Sequence, residues 1–157
     1  MIIDVSAREE SAKNYFRQGF NCCQAVLMAF RDVFGVDEEV LQKVSSGLGG
    51  GMARMRETCG TVSAMAIAAG FIRPATDPSV HSQRTANYAL VQQLAAAFRE
   101  KNGSISCREL LSLKAGAIES PEPSVRTPEF YRTRPCERFV GDSARILAEY
   151  LAADQEQ

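Results

Sequence analysis

Five cysteines are the residues of this sequence best suited to chemistry. Helix signals place four of them at or beside a predicted helix start, and these are the candidate catalytic residues Cys22, Cys59, Cys107 and Cys136. Free backbone N–H groups and the positive end of the helix macrodipole stabilise a thiolate at such a position. We therefore expect the pKa of these cysteines to be lowered, which suits a nucleophile or a metal ligand.

The spacing of the cysteines excludes the common short motifs. No two of them are separated by two residues, so neither a zinc knuckle nor a thioredoxin-type motif is present. A joint site therefore requires helix starts that converge in the fold. Packing is the alternative for each cysteine alone, because free cysteine often acts as a small buried hydrophobe. Cys23 fits that alternative, since it lies about 100° round the helix from Cys22.

A glycine-rich stretch, residues 47–60, leads directly to one of these cysteines. Glycine lets the backbone approach a partner closely. The candidate cofactor-binding residues are therefore Gly49, Gly50, Gly51 and Gly60. The stretch lacks the phosphate-loop pattern, and no strand precedes it. We expect Arg54 and Arg56 to be surface charges on this loop, with anion binding as the alternative.

Capping signals and apolar spacing predict an all-α fold. Capping boxes are indicated at Ser6, Asn21 and Ser106, and Thr58 is a further candidate cap. No stretch alternates apolar and polar residues as a half-buried strand does. Helices are predicted over residues 7–18, 22–33, 38–45, 59–69, 78–101, 107–113 and 135–152. We predict one domain over residues 1–157, a helical bundle of five to seven helices, with a fraying tail at 153–157.

Composition narrows the class of function. The net charge of −1 gives no global field that would attract nucleic acid. The longest mainly apolar stretch, residues 61–72, is too short to span a bilayer, and the N-terminus lacks the pattern of a signal peptide. We therefore expect a cytoplasmic protein without membrane insertion, whose thiols stay reduced unless they are catalytic or bind metal. Residues 114–128, rich in Gly, Ser, Pro and Glu, are predicted to form a mobile loop.

Four blocks of the sequence resemble the C-GCAxxG-C-C family, small bacterial and archaeal proteins described as redox-active. The blocks are Phe20–Val26, Gly49–Gly60, Cys107–Leu110 and Cys136–Val140. The resemblance covers nearly the whole chain. The resemblance implies that the four cysteines act together in a redox role.

The chain departs from the family pattern in three places. Thr61 stands where the motif has alanine, Ala64 stands where it has glycine, and Cys23 is an additional cysteine. Both replacements are small, so close helix packing can survive. A ligand that needs the space of the glycine would be excluded.

Three functions remain open from the sequence. In the first, the four cysteines are redox thiols that form disulfides or pass electrons to an unknown partner protein or small molecule, with Cys59 attacking and Cys22 resolving. In the second, they are four ligands of zinc or an iron–sulfur cluster. In the third, they only pack within a bundle that binds a small molecule or a partner. We also expect a homodimer, formed through the small-residue helix at 59–69.

Overall fold

Local capping and apolar spacing place helices along most of the chain. A computed structural model describes residues 1–116 and 119–157. Within these ranges a single isolated bridge, between Thr58 and Ser106, is the nearest approach to a strand, so the all-α prediction is confirmed. The helices are α1 (Val5–Arg17), α2 (Cys22–Met28), α3 (Arg31–Phe34), α4 (Glu38–Ser45), α5 (Gly49–Met52), α6 (Gly60–Ile72), α7 (His81–Asn102), α8 (Cys107–Leu110), α9 (Pro128–Thr133) and α10 (Cys136–Gln155).

The predicted caps have mixed outcomes. The Asn21 capping box is confirmed, because the Asn21 side chain accepts from the Gln24 N–H at 2.8 Å and the Gln24 side chain accepts from the Asn21 N–H at 3.0 Å. The box predicted at Ser6 is wrong. Asp4 caps α1 instead, accepting from the Ala7 N–H at 3.0 Å, because aspartate is as strong a cap as serine and comes earlier in the chain.

The predicted helix over residues 22–33 is interrupted, which is one reason that more helical segments form than predicted. α2 ends at Met28, and α3 begins only at Arg31. The carbonyl of Ala29 accepts from Arg8 Nη1 at 2.8 Å, and Phe30 leaves the helical region with φ −122°. A tertiary hydrogen bond thus ends a helix whose apolar spacing continues.

Other boundaries also differ from the predicted ones. The long helix α7 begins at His81 rather than at Pro78, and α10 continues to Gln155, past the predicted end at residue 152. The sequence analysis does not predict α9, which begins at Pro128, the last residue of the predicted loop 114–128. Thr127 caps this helix by accepting from the Phe130 N–H at 3.1 Å. Residues 117 and 118 of that loop lie outside the described residues.

The core is formed where α1, α2, α6 and α10 pack together, with α7 along α6 and α10. Small residues of α6, including Ala64 and Ala68, are fully buried in this core. The predicted homodimer requires the small residues of α6 to contact a second copy of the chain, but Ala64 and Ala68 are buried within one copy. Self-association therefore stays a prediction, and these two residues do not support it. No helix in the described ranges is long and apolar enough to cross a membrane.

Candidate functional site

The starts of separate helices converge on one small cavity, which we call the inner cavity. Its volume is about 40 Å³, and its lining includes the four candidate cysteines together with Gly50, Gly51 and Gly60. A joint site for the four cysteines requires helix starts that converge, and the structure has this convergence. Cys23 is not part of the lining and is fully buried in the core, which agrees with a packing role.

A short backbone pairing holds Cys59 beside Cys107. The Cys59 N–H donates to the carbonyl of Ile105 at 2.7 Å, and the Cys107 N–H donates to the carbonyl of Glu57 at 2.7 Å. The residues predicted as caps, Thr58 and Ser106, form the bridge between these two segments. Thr58 therefore does not cap α6. Cys59 itself is the N-cap residue, one position before the first turn.

Asn21 holds Cys22 at the start of α2. Besides capping the helix, its Nδ2 donates to the carbonyls of Ser45 and Ser46 at 3.3 and 3.1 Å. These bonds attach the start of α2 to the residues that lead into the glycine-rich stretch. The Asn21 side chain therefore both caps α2 and sets the position of Cys22 beside the glycine-rich stretch.

Two glycines are required because cysteine side chains occupy the space beside them. A Cβ at Gly60 would overlap Sγ of Cys22 and lie 2.6 Å from the carbonyl oxygen of Leu48. A Cβ at Gly51, where φ is +64°, would lie 2.6 Å from Cβ of Cys107. The predicted cofactor-binding role of Gly49, Gly50, Gly51 and Gly60 stays a prediction. At Gly51 and Gly60, however, protein atoms fill the neighbouring space.

Burial raises the pKa of Cys22, Cys59 and Cys136, so the lowering expected for these three cysteines is wrong. Desolvation is the largest cause for Cys22, Cys59 and Cys136, and repulsion between the cysteines adds to it. The pKa of Cys136 is raised to about 11. Backbone N–H groups do oppose the rise at Cys22 and Cys59, but the loss of water outweighs them.

Polar neighbours distinguish the two cysteines deepest in the site. The sulfur of Cys59 lies 3.2 Å from Oγ1 of Thr61, the residue that replaces the motif alanine. The sulfur of Cys107 accepts from Nη1 of Arg56 at 3.7 Å. Arg56 is only 4% exposed and its Nε donates to Glu119 at 2.5 Å. Arg56 is therefore a buried part of the site, and the expectation of a surface charge is wrong.

A larger outer cavity of about 330 Å³ opens beside the inner one. Cys22, Cys136, Gly50 and Arg56 line both cavities, whereas Cys59 and Cys107 line only the inner one. The arginines that line the outer cavity are Arg54, Arg56, Arg126 and Arg134. Sequence analysis missed the last two: Arg126 lies in the predicted loop, and Arg134 lies two positions before Cys136.

A metal ion needs several ligand side chains that face one centre. Among residues 1–116 and 119–157, no group of three or more His, Cys, Asp or Glu side chains is arranged to hold a metal ion. Lining one cavity is a weaker condition than pointing four sulfurs at one centre at about 2.3 Å, as zinc requires. The zinc or iron–sulfur alternative therefore receives no support from the geometry.

Comparison with protein families gives a match over most of the chain. The model of a family described as "Putative redox-active protein (C_GCAxxG_C_C)" matches residues 20–150. No curated protein and no solved structure matches the chain.

Replacing Gly60 by alanine tests the close approach to Cys22. We expect Gly60→Ala to lower the free energy of unfolding by about 1–3 kcal/mol, because the added methyl group overpacks the contact. Gly70→Ala, in the same helix with open space around it, is the matched control and should raise stability by up to about 1 kcal/mol. Urea unfolding of the reduced proteins measures both. Equal effects of the two substitutions would contradict the close contact.

The raised pKa of Cys136 predicts loss of stability in alkali. Below the ordinary value of 9.0, the folded and unfolded chains both hold the proton, and the stabilisation is complete. Between 9.0 and about 11 the unfolded chain loses the proton while the folded chain retains it, so stability falls as pH rises. Urea unfolding of Cys136→Ser should show a weaker decline, by about 1 kcal/mol per pH unit. An unchanged decline would contradict the shift.

Proposed function

The chain belongs to the C_GCAxxG_C_C family, and from this membership we propose that it acts through reversible disulfides among Cys22, Cys59, Cys107 and Cys136. The observation that carries the proposal is the meeting of four free cysteines at the inner cavity. These cysteines come from segments far apart in the sequence. A core that needed only small apolar residues would have no reason to gather thiols at one point.

The chemistry proposed is thiol–disulfide exchange. A cysteine attacks one sulfur of a partner disulfide, a mixed disulfide forms, and one partner thiol leaves. A second cysteine of the chain then attacks the mixed disulfide and releases the other partner thiol. Two cysteines lose two electrons and two protons in total, and the partner disulfide gains them as two thiols. The reverse sequence reduces the protein.

Access separates the roles of the four cysteines. Only Cys22 and Cys136 line the outer cavity, where a partner molecule can arrive. We assign the first attack to Cys136, because Arg134 and Arg126 lower its pKa against the effect of burial, and resolution to Cys22. This assignment replaces the one based on sequence, in which Cys59 attacks. Cys59 and Cys107, whose segments are held together by the backbone bridge between Thr58 and Ser106, are the second pair of cysteines. Both line the inner cavity only.

The raised pKa of these thiols fits a protein that reacts only with a suitable partner. Little thiolate is present at neutral pH when the pKa is about 11, so reaction with random oxidants is slow. A partner that brings its sulfur next to Cys136 raises the local concentration and compensates for the low thiolate fraction.

The test is a thiol count on protein purified without oxygen. The reduced chain should have five free thiols, and treatment with diamide should remove them in pairs and reversibly, because each disulfide consumes two. Dithiothreitol should restore the count. Cys23→Ala should lose as many pairs as the original chain, whereas Cys136→Ser should form fewer.

Two results would contradict the proposal. One is a thiol count that diamide leaves unchanged in the folded protein. The other is metal analysis of the same sample showing stoichiometric zinc or iron, with four thiols released only when the metal is removed. That second result would replace the redox thiols by a cysteine-ligated metal centre.

A further inference from the structure

The outer cavity carries an excess of positive charge. Its lining in the described ranges includes four arginines and no Asp or Glu. Glu119, which is outside the lining, accepts from Arg56 Nε at 2.5 Å and lies 3.7 Å from Nη2 of Arg54. The same carboxylate also attracts Arg134 over a longer distance, so a single negative charge stands against the four guanidiniums of the lining. Such a cavity attracts anions.

Neutral acceptors hold two of the arginines in position, and for Arg126 they are the only hydrogen-bond acceptors in the described part of the chain. Arg126 donates to the carbonyls of Phe16 and Phe20 at 3.1 and 3.2 Å, and its guanidinium stands 4.2 Å from the Phe16 ring centroid. Arg54 donates from Nε to the carbonyl of Ser120 at 2.9 Å. Pre-positioned charges need little reorganisation when a ligand arrives.

Arg134 has donors to spare. Its guanidinium packs over the Phe130 ring at 5.4 Å and, within residues 1–116 and 119–157, donates no hydrogen bond and forms no ion pair within 4 Å, since its attraction to Glu119 acts over a longer distance. It lies two positions before Cys136, and both residues line the outer cavity. A free fork of N–H donors beside an accessible thiol is suited to hold a carboxylate while the thiol reacts.

We infer that the outer cavity binds a small disulfide that carries carboxylate groups, and that this molecule is the partner of Cys136. The inference rests on the proposed function and adds the substrate class. A volume of about 330 Å³ is at the lower end for ligand pockets, which suits a small molecule rather than a protein segment. The inner cavity, at about 40 Å³, is too small for such a ligand.

The reaction balances without another reagent. Cys136 displaces one half of the bound disulfide as a free thiol and keeps the other half in a mixed disulfide. Cys22, which lines both cavities, displaces that half as a second thiol and leaves a Cys22–Cys136 disulfide. The arginines bind the carboxylates at each stage and take no part in electron transfer.

The experiment compares two small disulfides of opposite charge on the reduced, full-length protein. Dithiodiglycolate carries two carboxylates, and cystamine carries two ammonium groups. We expect saturable, faster loss of protein thiols with dithiodiglycolate. Arg134→Gln should lower the ratio of the dithiodiglycolate rate to the cystamine rate about tenfold, the factor for one lost hydrogen bond to a charged group. Its effect on the pKa of Cys136 slows both reactions alike and cancels in this ratio. Arg84→Gln, an exposed arginine outside both cavities, makes the same charge change and should alter neither rate.

A second arm measures binding without exchange. Thiodiglycolate has the same two carboxylates but a single sulfur, so it cannot form a disulfide. It should inhibit the reaction with dithiodiglycolate in the original chain, and Arg134→Gln should weaken this inhibition about tenfold.

The outcomes separate the inference from the proposed function. Equal rates with both disulfides, no reaction with either while diamide still forms disulfides, or equal losses in Arg134→Gln and Arg84→Gln would overturn the inference alone. Failure of diamide and of both small disulfides to remove thiols would overturn the proposed function, and the inference with it.

Discussion

The sulfur of Cys22 occupies the space that any side chain at position 60 would need. That contact sets how closely the start of α2 approaches the start of α6. The approach brings Cys22 to the cavity that Cys59, Cys107 and Cys136 also line. In the same way, the absence of a side chain at Gly51 leaves space for the side chain of Cys107. Gly51 and Gly60 therefore leave the space that lets cysteine side chains lie close to the neighbouring backbone.

Bringing these cysteines together in the interior disfavours their charged thiolate form. A helix start stabilises a thiolate through its N–H groups, but burial removes water from the same sulfur, and here burial has the larger effect. The thiols are therefore held mainly in the protonated form, close to one another. The arginines at the outer cavity compensate in part, since Arg134 and Arg126 both favour the thiolate of Cys136. In the proposed function, reactivity then depends on the molecule that enters the outer cavity.

Sequence reasoning succeeded where the cause is local. The Asn21 capping box, the all-α class and the placement of Cys22 and Cys107 at helix starts all follow from residues within one turn of each other. Sequence reasoning failed where a residue far away in the sequence determines the local structure. The pairing of Thr58 with Ser106, the buried position of Arg56 and the arginines of the outer cavity depend on tertiary contacts. The pKa direction failed for the same reason, because burial is a tertiary property.

Disulfide mapping tests the central claim most directly. Reduced, folded protein is equilibrated in a series of thiol–disulfide buffers, quenched with acid and alkylated, and linked peptides are identified by fragmentation spectra that distinguish Cys22 from Cys23. Linkages confined to Cys22, Cys59, Cys107 and Cys136, which disappear as the buffer becomes more reducing, are the predicted result. Absence of linkage at every buffer ratio, or linkage of Cys23 as often as the others, would contradict the account.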